Sequence, residues 1–392
     1  MDFIYRLIFC ICILISTVSS AEPVPSDKIN FLVIADIHFN PFTSCGISKV
    51  CPLIKLLRNA PASQWSEILA KYDVKPPQLR EDTNYPLLTS SLAAAKEAAN
   101  TNHVQFVLLL GDYLGHEYYA KYNHYSEDKS FSGFQSFTRK TMEFLGYQIS
   151  AAFPANNVYF VIGNNDSYQG DYFTYVNGQF FNDVAKMWSG LIKNPSNRSA
   201  MQKQFPYAGY YSVVLPYPGS IRLIALNSIV FSYKAKGRDI DKLAQEQLNW
   251  LHKELETAKV NHESVFIAMH IPEGIDVYAT LRTRLFRLFT LWKPSYIQRF
   301  QKEINSYASE ITGIFAGHLH ADMFRILTTA DYHEIPMINV ASISPNFGSN
   351  PGFKLCTYST NPVQLDGYVN YSFPLNGRRT WNIESRFGYN PN

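Results

Sequence analysis

The chain has 392 residues, 35 basic against 32 acidic side chains, and 46% hydrophobic residues. That length and apolar share fit a folded protein with a large core and exclude a disordered chain. A formal charge of +3 carries no nucleic-acid-binding signal and names no obligatory anionic partner.

The chain opens with a targeting pattern. Arg6 is a basic n-region, Leu7 to Ile15 is an apolar run, and Val18-Ser19-Ser20-Ala21 supplies small residues for cleavage. Residues 1–20 are therefore expected to be a cleaved signal peptide, too short to span a membrane comfortably. The remainder, 21–392, is expected to be secreted, periplasmic or lumenal. Cys10 and Cys12 leave with the signal; Cys45 and Cys51 suit a loop disulfide in an oxidising compartment, and Cys356 reads as a buried small apolar side chain.

Short apolar runs then recur, each ending in residues that can bind metal. Phe31 to Ala35 runs into Asp36 and His38, Phe106 to Leu110 into Gly111-Asp112, and Val158 to Ile162 into Gly163-Asn164. Val265 to Met269 runs into His270, and Ile311 to Ala316 into Gly317-His318-Leu319-His320. Runs this short and rich in Val, Ile, Leu and Phe are strands buried on both faces. Ile221 to Leu226 is another, ending in Asn227. Tyr85 to Asn100 and Ala244 to Ala258 have helical composition and spacing. The alternation predicts an α/β protein, whose ligands bind beyond the carboxyl ends of the strands. Gly115 to Ala155, polar and aromatic, is expected to form a lid or accessory layer. Thr280 to Trp292 reads as a partly buried amphipathic helix, with lipid or anionic-substrate contact as the alternative.

The chemistry follows from the residue types. In an extended segment, residues two apart point the same way, so Asp36 and His38 can grip one ion. Asp112 has two carboxylate oxygens and can bridge two ions; Asn164 offers a neutral oxygen. His270, His318 and His320 add imidazoles. Mixed oxygen and nitrogen donors suit zinc first, with manganese or iron as alternatives, over calcium or magnesium. Two such ions about 3.5–4 Å apart are the usual arrangement for hydrolysing phosphate esters, a bridging water supplying the nucleophile.

With these motifs in place, the chain resembles the calcineurin-like metallophosphoesterase superfamily from Phe31 to about Phe353. Gly111-Asp-Tyr-Leu-Gly-His116, Gln247-Leu-Asn-Trp-Leu251, Met269-His-Ile-Pro-Glu-Gly274 and Asn350-Pro-Gly-Phe353 resemble its acid sphingomyelinase-like phosphodiesterase branch. The resemblance implies a four-layer αββα sandwich over residues 21–392, with a β-rich C-terminal extension from about 354. It implies one ion on Asp36, His38, Asp112 and His320, and another on Asp112, Asn164, His270 and His318. It implies a small phosphate-ester substrate, a diester ahead of a monoester. Where the superfamily has Gly-Asn-His, this chain has Gly163-Asn164-Asn165. Asn165 cannot deliver a proton as histidine does. His116, four residues after Asp112 as in the branch, is thus expected to protonate the leaving group, and Asn165 only to contact the phosphate. The substitution is also the one support for a non-catalytic binding module that kept its metals.

The first strand starts shortly after the signal, so no saposin-like domain is expected. The 72 residues after His320 leave little room for a helical C-terminal subdomain. Sphingomyelin is accordingly disfavoured, and weak membrane contact rests on Thr280 to Trp292 alone. Gly115 stands where a purple acid phosphatase needs Tyr. Asn197-Arg-Ser199 and Asn370-Tyr-Ser372 match the glycosylation pattern, as does Asn165-Asp-Ser167 inside the expected site. Nothing in the sequence speaks to oligomeric state.

Overall fold

A computed structural model describes residues 27–46, 49–284 and 286–389. The expected signal peptide lies outside these residues. Among the described residues, twelve strands form two mixed sheets of six. In the first, β1 (Lys28–Ile34) pairs in parallel with β2 (Phe106–Leu109), and β2 with β3 (Asn157–Phe160). The second contains β4 (Tyr211–Val214), β5 (Ile221–Ala225), β6 (Ser264–Ala268), β7 (Ile311–Ala316), β8 (Met323–Thr328) and β9 (Glu334–Asn339). There β5, β6, β7 and β9 run in parallel, and β4 and β8 close the edges antiparallel.

The C-terminal strands complete the first sheet. β10 (Gly352–Thr360) lies antiparallel against β1, followed by β11 (Val363–Ser372) and β12 (Asn382–Gly388). β10 thus sits beside β1, the strand that runs into Asp36.

Strand alternation sorts side chains between two cores. Phe266 and Ala268 of β6 face the first sheet, whereas Val265 and Ile267 join the cluster containing Leu248, Leu251 and Leu255. Those leucines lie on the helix Ile240–Val260, longer than expected at both ends. Between the sheets the rings of Phe31, Phe266 and Phe315 meet at 5.3–5.6 Å. The helix Tyr85–Thr101 covers the first sheet, its Asn84 side chain accepting the Leu87 N–H as a cap. Helix, sheet, sheet, helix is the expected sandwich.

Gly115 to Ala155 is an accessory helical layer: Tyr118–Tyr125 and Phe131–Ala152, with Phe134, Phe137 and Phe144 buried. Cys45 and Cys51 form a disulfide; Cys356 is free and buried, its thiol pushed up to about 12 by burial. The glycosylation patterns fold inward. Asn197 Nδ2 donates to Tyr159 Oη (2.8 Å) and Asn370 Nδ2 to Ser385 Oγ (2.7 Å), and both residues are buried.

Thr280 to Trp292 departs from its expected form. The helix runs only from Val277 to Arg282, and Arg284 takes a left-handed backbone (φ 50°) that ends it. Leu281, Phe286 and Leu288 are exposed, so this is not a partly buried amphipathic helix.

Candidate metal centre

All seven expected ligands meet beyond the strand ends. Asp36, His38, Asp112, Asn164, His270 and His320 are buried; His318 is half-buried. The two sheets are joined here: the Ile343 N–H donates to the Ala35 carbonyl (3.1 Å) and the Ser344 N–H to that of Asp36 (3.0 Å). The chain leaves its strands abruptly. Asp36, His38, Asp112, His318 and His320 all have φ between 44° and 72°. Such backbone is costly for non-glycine residues and persists where the surroundings impose it, as at functional sites. The preceding glycines answer to space. A Cβ on Gly163 would lie 2.1 Å from the Asp112 nitrogen, and one on Gly317 2.7 Å from Asp36 Oδ2.

The donor atoms converge. Asp112 Oδ2 lies 3.3 Å from His38 Nε2 and 3.2 Å from His270 Nε2. On one side His320 Nε2 is 3.1 Å from His38 Nε2 and 3.4 Å from Asp36 Oδ1. On the other, His270 Nε2 is 3.1 Å from Asn164 Oδ1, and His318 joins Asp112 and His270 in one ligand-type group. Donors about 2.0–2.2 Å from a common ion sit at roughly such spacings from one another. In two of the histidines the other ring nitrogen is committed: His38 Nδ1 faces the Leu114 carbonyl (2.9 Å) and His270 Nδ1 that of Leu110 (2.7 Å). A proton donated there leaves Nε2 as the lone-pair nitrogen, the tautomer a metal ligand needs. The residues fit a pair of divalent cations.

Charge agrees with this division. Burial works against charge on His38, but Asp112 and Asp36 outweigh it and raise the imidazole to about 9; His270 is likewise raised to about 9 against burial by Asp112. His318 and His320 fall to about 3, chiefly through burial. Burial raises Asp112, but His270 and His38 hold it well below the usual carboxylate range. Without a cation, His38 and His270 are the two that hold protons a cation would replace.

Asn165 lies against the shared carboxylate of Asp112. Its backbone N–H donates to Asp112 Oδ1 and its side-chain amide to Asp112 Oδ2, both at 2.8 Å. One amide N–H is thus engaged in orienting Asp112. Beside it Asp166 accepts N–H groups from Gly163, Asp112, Tyr113 and Leu114 at 2.8–3.1 Å, clamping two ligand loops together. Burial and Asp112 push the Asp166 carboxyl up to about 7 against the N–H groups of Gly163, Leu114 and Tyr113.

His116 stands at the rim, its ring stacked on His38 with centroids 3.9 Å apart. One of its nitrogens lies within 4.8 Å of ring nitrogens of His38 and His320. Its Nδ1 is 2.7 Å from Asp82 Oδ1. Asp82 also accepts Lys121 Nζ (2.9 Å), Asn40 Nδ2 (3.1 Å) and Asn346 Nδ2 (3.2 Å). Burial raises Asp82, but His116 and Lys121 outweigh it and hold the carboxyl well below the ordinary range. Asn346 Nδ2 also lies 2.8 Å from His116 Nδ1. With Nδ1 engaged on this side, Nε2 is the nitrogen left for a substrate oxygen. Sequence reasoning missed Asp82, Lys121 and Asn346, which belong to no local motif. Asp166 was visible as the residue after Asn165, but not its clamp.

The family model for the calcineurin-like phosphoesterases matches residues 29–322. The chain belongs to that family. The expected branch is supported too. The sphingomyelinase phosphodiesterase D of Dictyostelium discoideum is 30% identical over 318 residues, 78% of this chain and 65% of that protein. The acid sphingomyelinase-like phosphodiesterase 3b of Mus musculus is 26% identical over 88% of this chain and 71% of its own length. A cyclic GMP-AMP phosphodiesterase of Homo sapiens is 25% identical over 60% of this chain and 52% of its own. The chain thus spans less than two-thirds of the first relative and about half of the third. Among solved structures, a dimetal phosphatase from Danio rerio superposes with a TM-score of 0.50 at 13% identity, covering 92% of this chain and 99% of that one. At that identity the likeness speaks for the fold alone.

Proposed function

We propose that this chain is an exported phosphodiesterase with two divalent cations, zinc ahead of manganese or iron. Asp36, His38, Asp112 and His320 hold one, and Asp112, Asn164, His270 and His318 the other. The observation that carries the reading is Asp112 Oδ2, placed 3.3 Å from His38 Nε2 and 3.2 Å from His270 Nε2, one from each ligand set. When bound, such a pair activates water and polarises the phosphoryl oxygens.

The chain's own groups supply the rest. Asn165 and Asp166 hold Asp112 and its loop in register. Asp82 orients His116, which keeps a proton on Nε2 and passes it to the departing oxygen of the ester. The three relatives, all named as phosphodiesterases, favour a small phosphodiester over a monoester. Export rests on the pattern in residues 1–20. No helix among the described residues is long and apolar enough to cross a membrane.

The test is elemental analysis of the purified protein beside hydrolysis of bis-nitrophenyl phosphate and nitrophenyl phosphate. Two cations per chain, preference for the diester and loss of activity with chelator are expected. Preference for the monoester would overturn the diesterase reading. Full metal occupancy without turnover on either ester would favour the binding module. Secreted protein still carrying residues 1–20 would remove the signal peptide.

A further inference from the structure

The segment Ile275–Leu291 follows closely after His270 and folds back on itself. Its limbs are paired: the Asp276 N–H donates to the Phe289 carbonyl (2.7 Å), the Leu291 N–H to that of Gly274 (2.8 Å), and Ile275 and Thr290 form an antiparallel bridge. The base is anchored by the buried Trp292, whose indole N–H donates to the Ile271 carbonyl (3.0 Å) and whose ring lies 4.5 Å from that of Phe231. The far end is not packed. Leu281 is 58%, Phe286 91% and Leu288 66% exposed, Phe286 more than any other large apolar side chain among the described residues. Clustered apolar exposure of this kind marks a contact surface.

The charge of the segment is one-sided. Arg282, Arg284 and Arg287 are exposed. The acidic groups nearby are occupied: Asp276 accepts the Ala279 N–H (2.9 Å) as the cap of the short helix, and the buried Glu273 pairs with Arg325 (3.2 Å). The hairpin also adjoins the metal centre. A cavity of about 210 Å³ lies between it and the ligand loop, lined by Ile275, Val277, Leu291, Leu319, Met323 and Met337. Leu319 stands between His318 and His320.

We propose that this hairpin docks on an anionic lipid bilayer, with Leu281, Phe286 and Leu288 entering the interface and the three arginines meeting headgroup phosphates. Aliphatic and Phe side chains flanked by arginine suit the boundary between headgroups and acyl chains. The exposed arginines complement an anionic surface, and a bilayer takes up the apolar side chains beside them. Docking there would set the metal centre beside the membrane surface.

The test is co-flotation of the full chain with vesicles of phosphatidylcholine alone and with about 30% phosphatidylserine, at low and raised salt. Binding to the anionic vesicles that weakens with salt is expected. Replacing the three arginines by Gln should weaken it about a hundredfold, at roughly fivefold per arginine near a charged surface. Phe286→Ser with Leu288→Ser should weaken it at least about tenfold. These residues are exposed and outside the metal centre, so the melting temperature and hydrolysis of a soluble ester should not change. Binding can be read with chelated protein and so does not depend on the proposed activity. Absence of binding to anionic vesicles would overturn the proposal, as would equal binding by the variants. So would a concentration-dependent dimer that Phe286→Ser abolishes, since the apolar tip would then be covered by a second copy.

Discussion

The centre of the site and its rim are held by different means. His38 and His270 turn a ring nitrogen to the backbone carbonyls of Leu114 and Leu110, and Asp166 clamps the Asp112 loop through four backbone N–H groups. The rim depends on side chains: His116 is held by Asp82, which is held in turn by Lys121, Asn40 and Asn346. Backbone partners are present whatever the side-chain type, so the centre persists through many substitutions. A side-chain network fails with one. The difference separates a part of the protein that must be rigid from one that can be tuned.

The sharpest break in this comparison is Asp112→Ala, which removes the oxygen facing both ligand sets. Activity should fall by at least about 10⁴-fold, because enzymes of this kind typically work more than about 10⁶-fold above background and the proposed reaction runs through this centre. Cation content measured on the same sample should fall from two per chain. Retention of both cations would remove Asp112 from the bridging role.

His116→Ala comes next. A general acid contributes about 10²–10⁴-fold where the leaving group is poor. The loss should reach that range on an alkyl ester and be far smaller on a nitrophenyl ester, with cation content unchanged. Equal losses on both esters would show that His116 only supports the centre.

Asp82→Asn should cost less, about 10–100-fold, the usual range for a residue that orients another. It carries a pH signature. The folded Asp82 carboxyl lies below the ordinary value, so its stabilising share is fully present above the unfolded pKa of about 3.9 and is lost as pH falls through the folded value. The gap in melting temperature between the native chain and Asp82→Asn should therefore be constant above about pH 5 and shrink below about pH 4. A gap that grew in acid would reverse the assignment.

Smallest in its effect on chemistry is Cys45→Ser. The Cys45–Cys51 disulfide closes a loop with a sequence separation of 6. Its loss should cost about 2 kcal/mol in denaturant unfolding. Activity per folded molecule should stay unchanged. A large drop in activity would mean that this loop shapes the site directly.

How much of this was legible in the sequence can be followed residue by residue. Each ligand follows an apolar strand, so local pattern alone is enough to put Asp36, Asp112, Asn164, His270 and His318 at strand ends. The same logic could show that Asn165 lacks a histidine's proton but not that its amide would meet Asp112, 53 positions away. It misread the segment after Thr280, where alternating Leu and Arg suggested a helix that a left-handed Arg284 cuts short.

The sequence alone determined the seven metal-type side chains at the strand ends, the alternation that builds the two sheets, and the missing histidine beside Asn164. Only the tertiary structure decided which groups serve His116. Asp82 lies 34 positions before it and Asn346 lies 230 after. The physical reason is range. Strand ends and their ligands are written in a few adjacent residues, whereas an orienting carboxylate is recruited by whichever loops the fold brings together, and no local pattern records that.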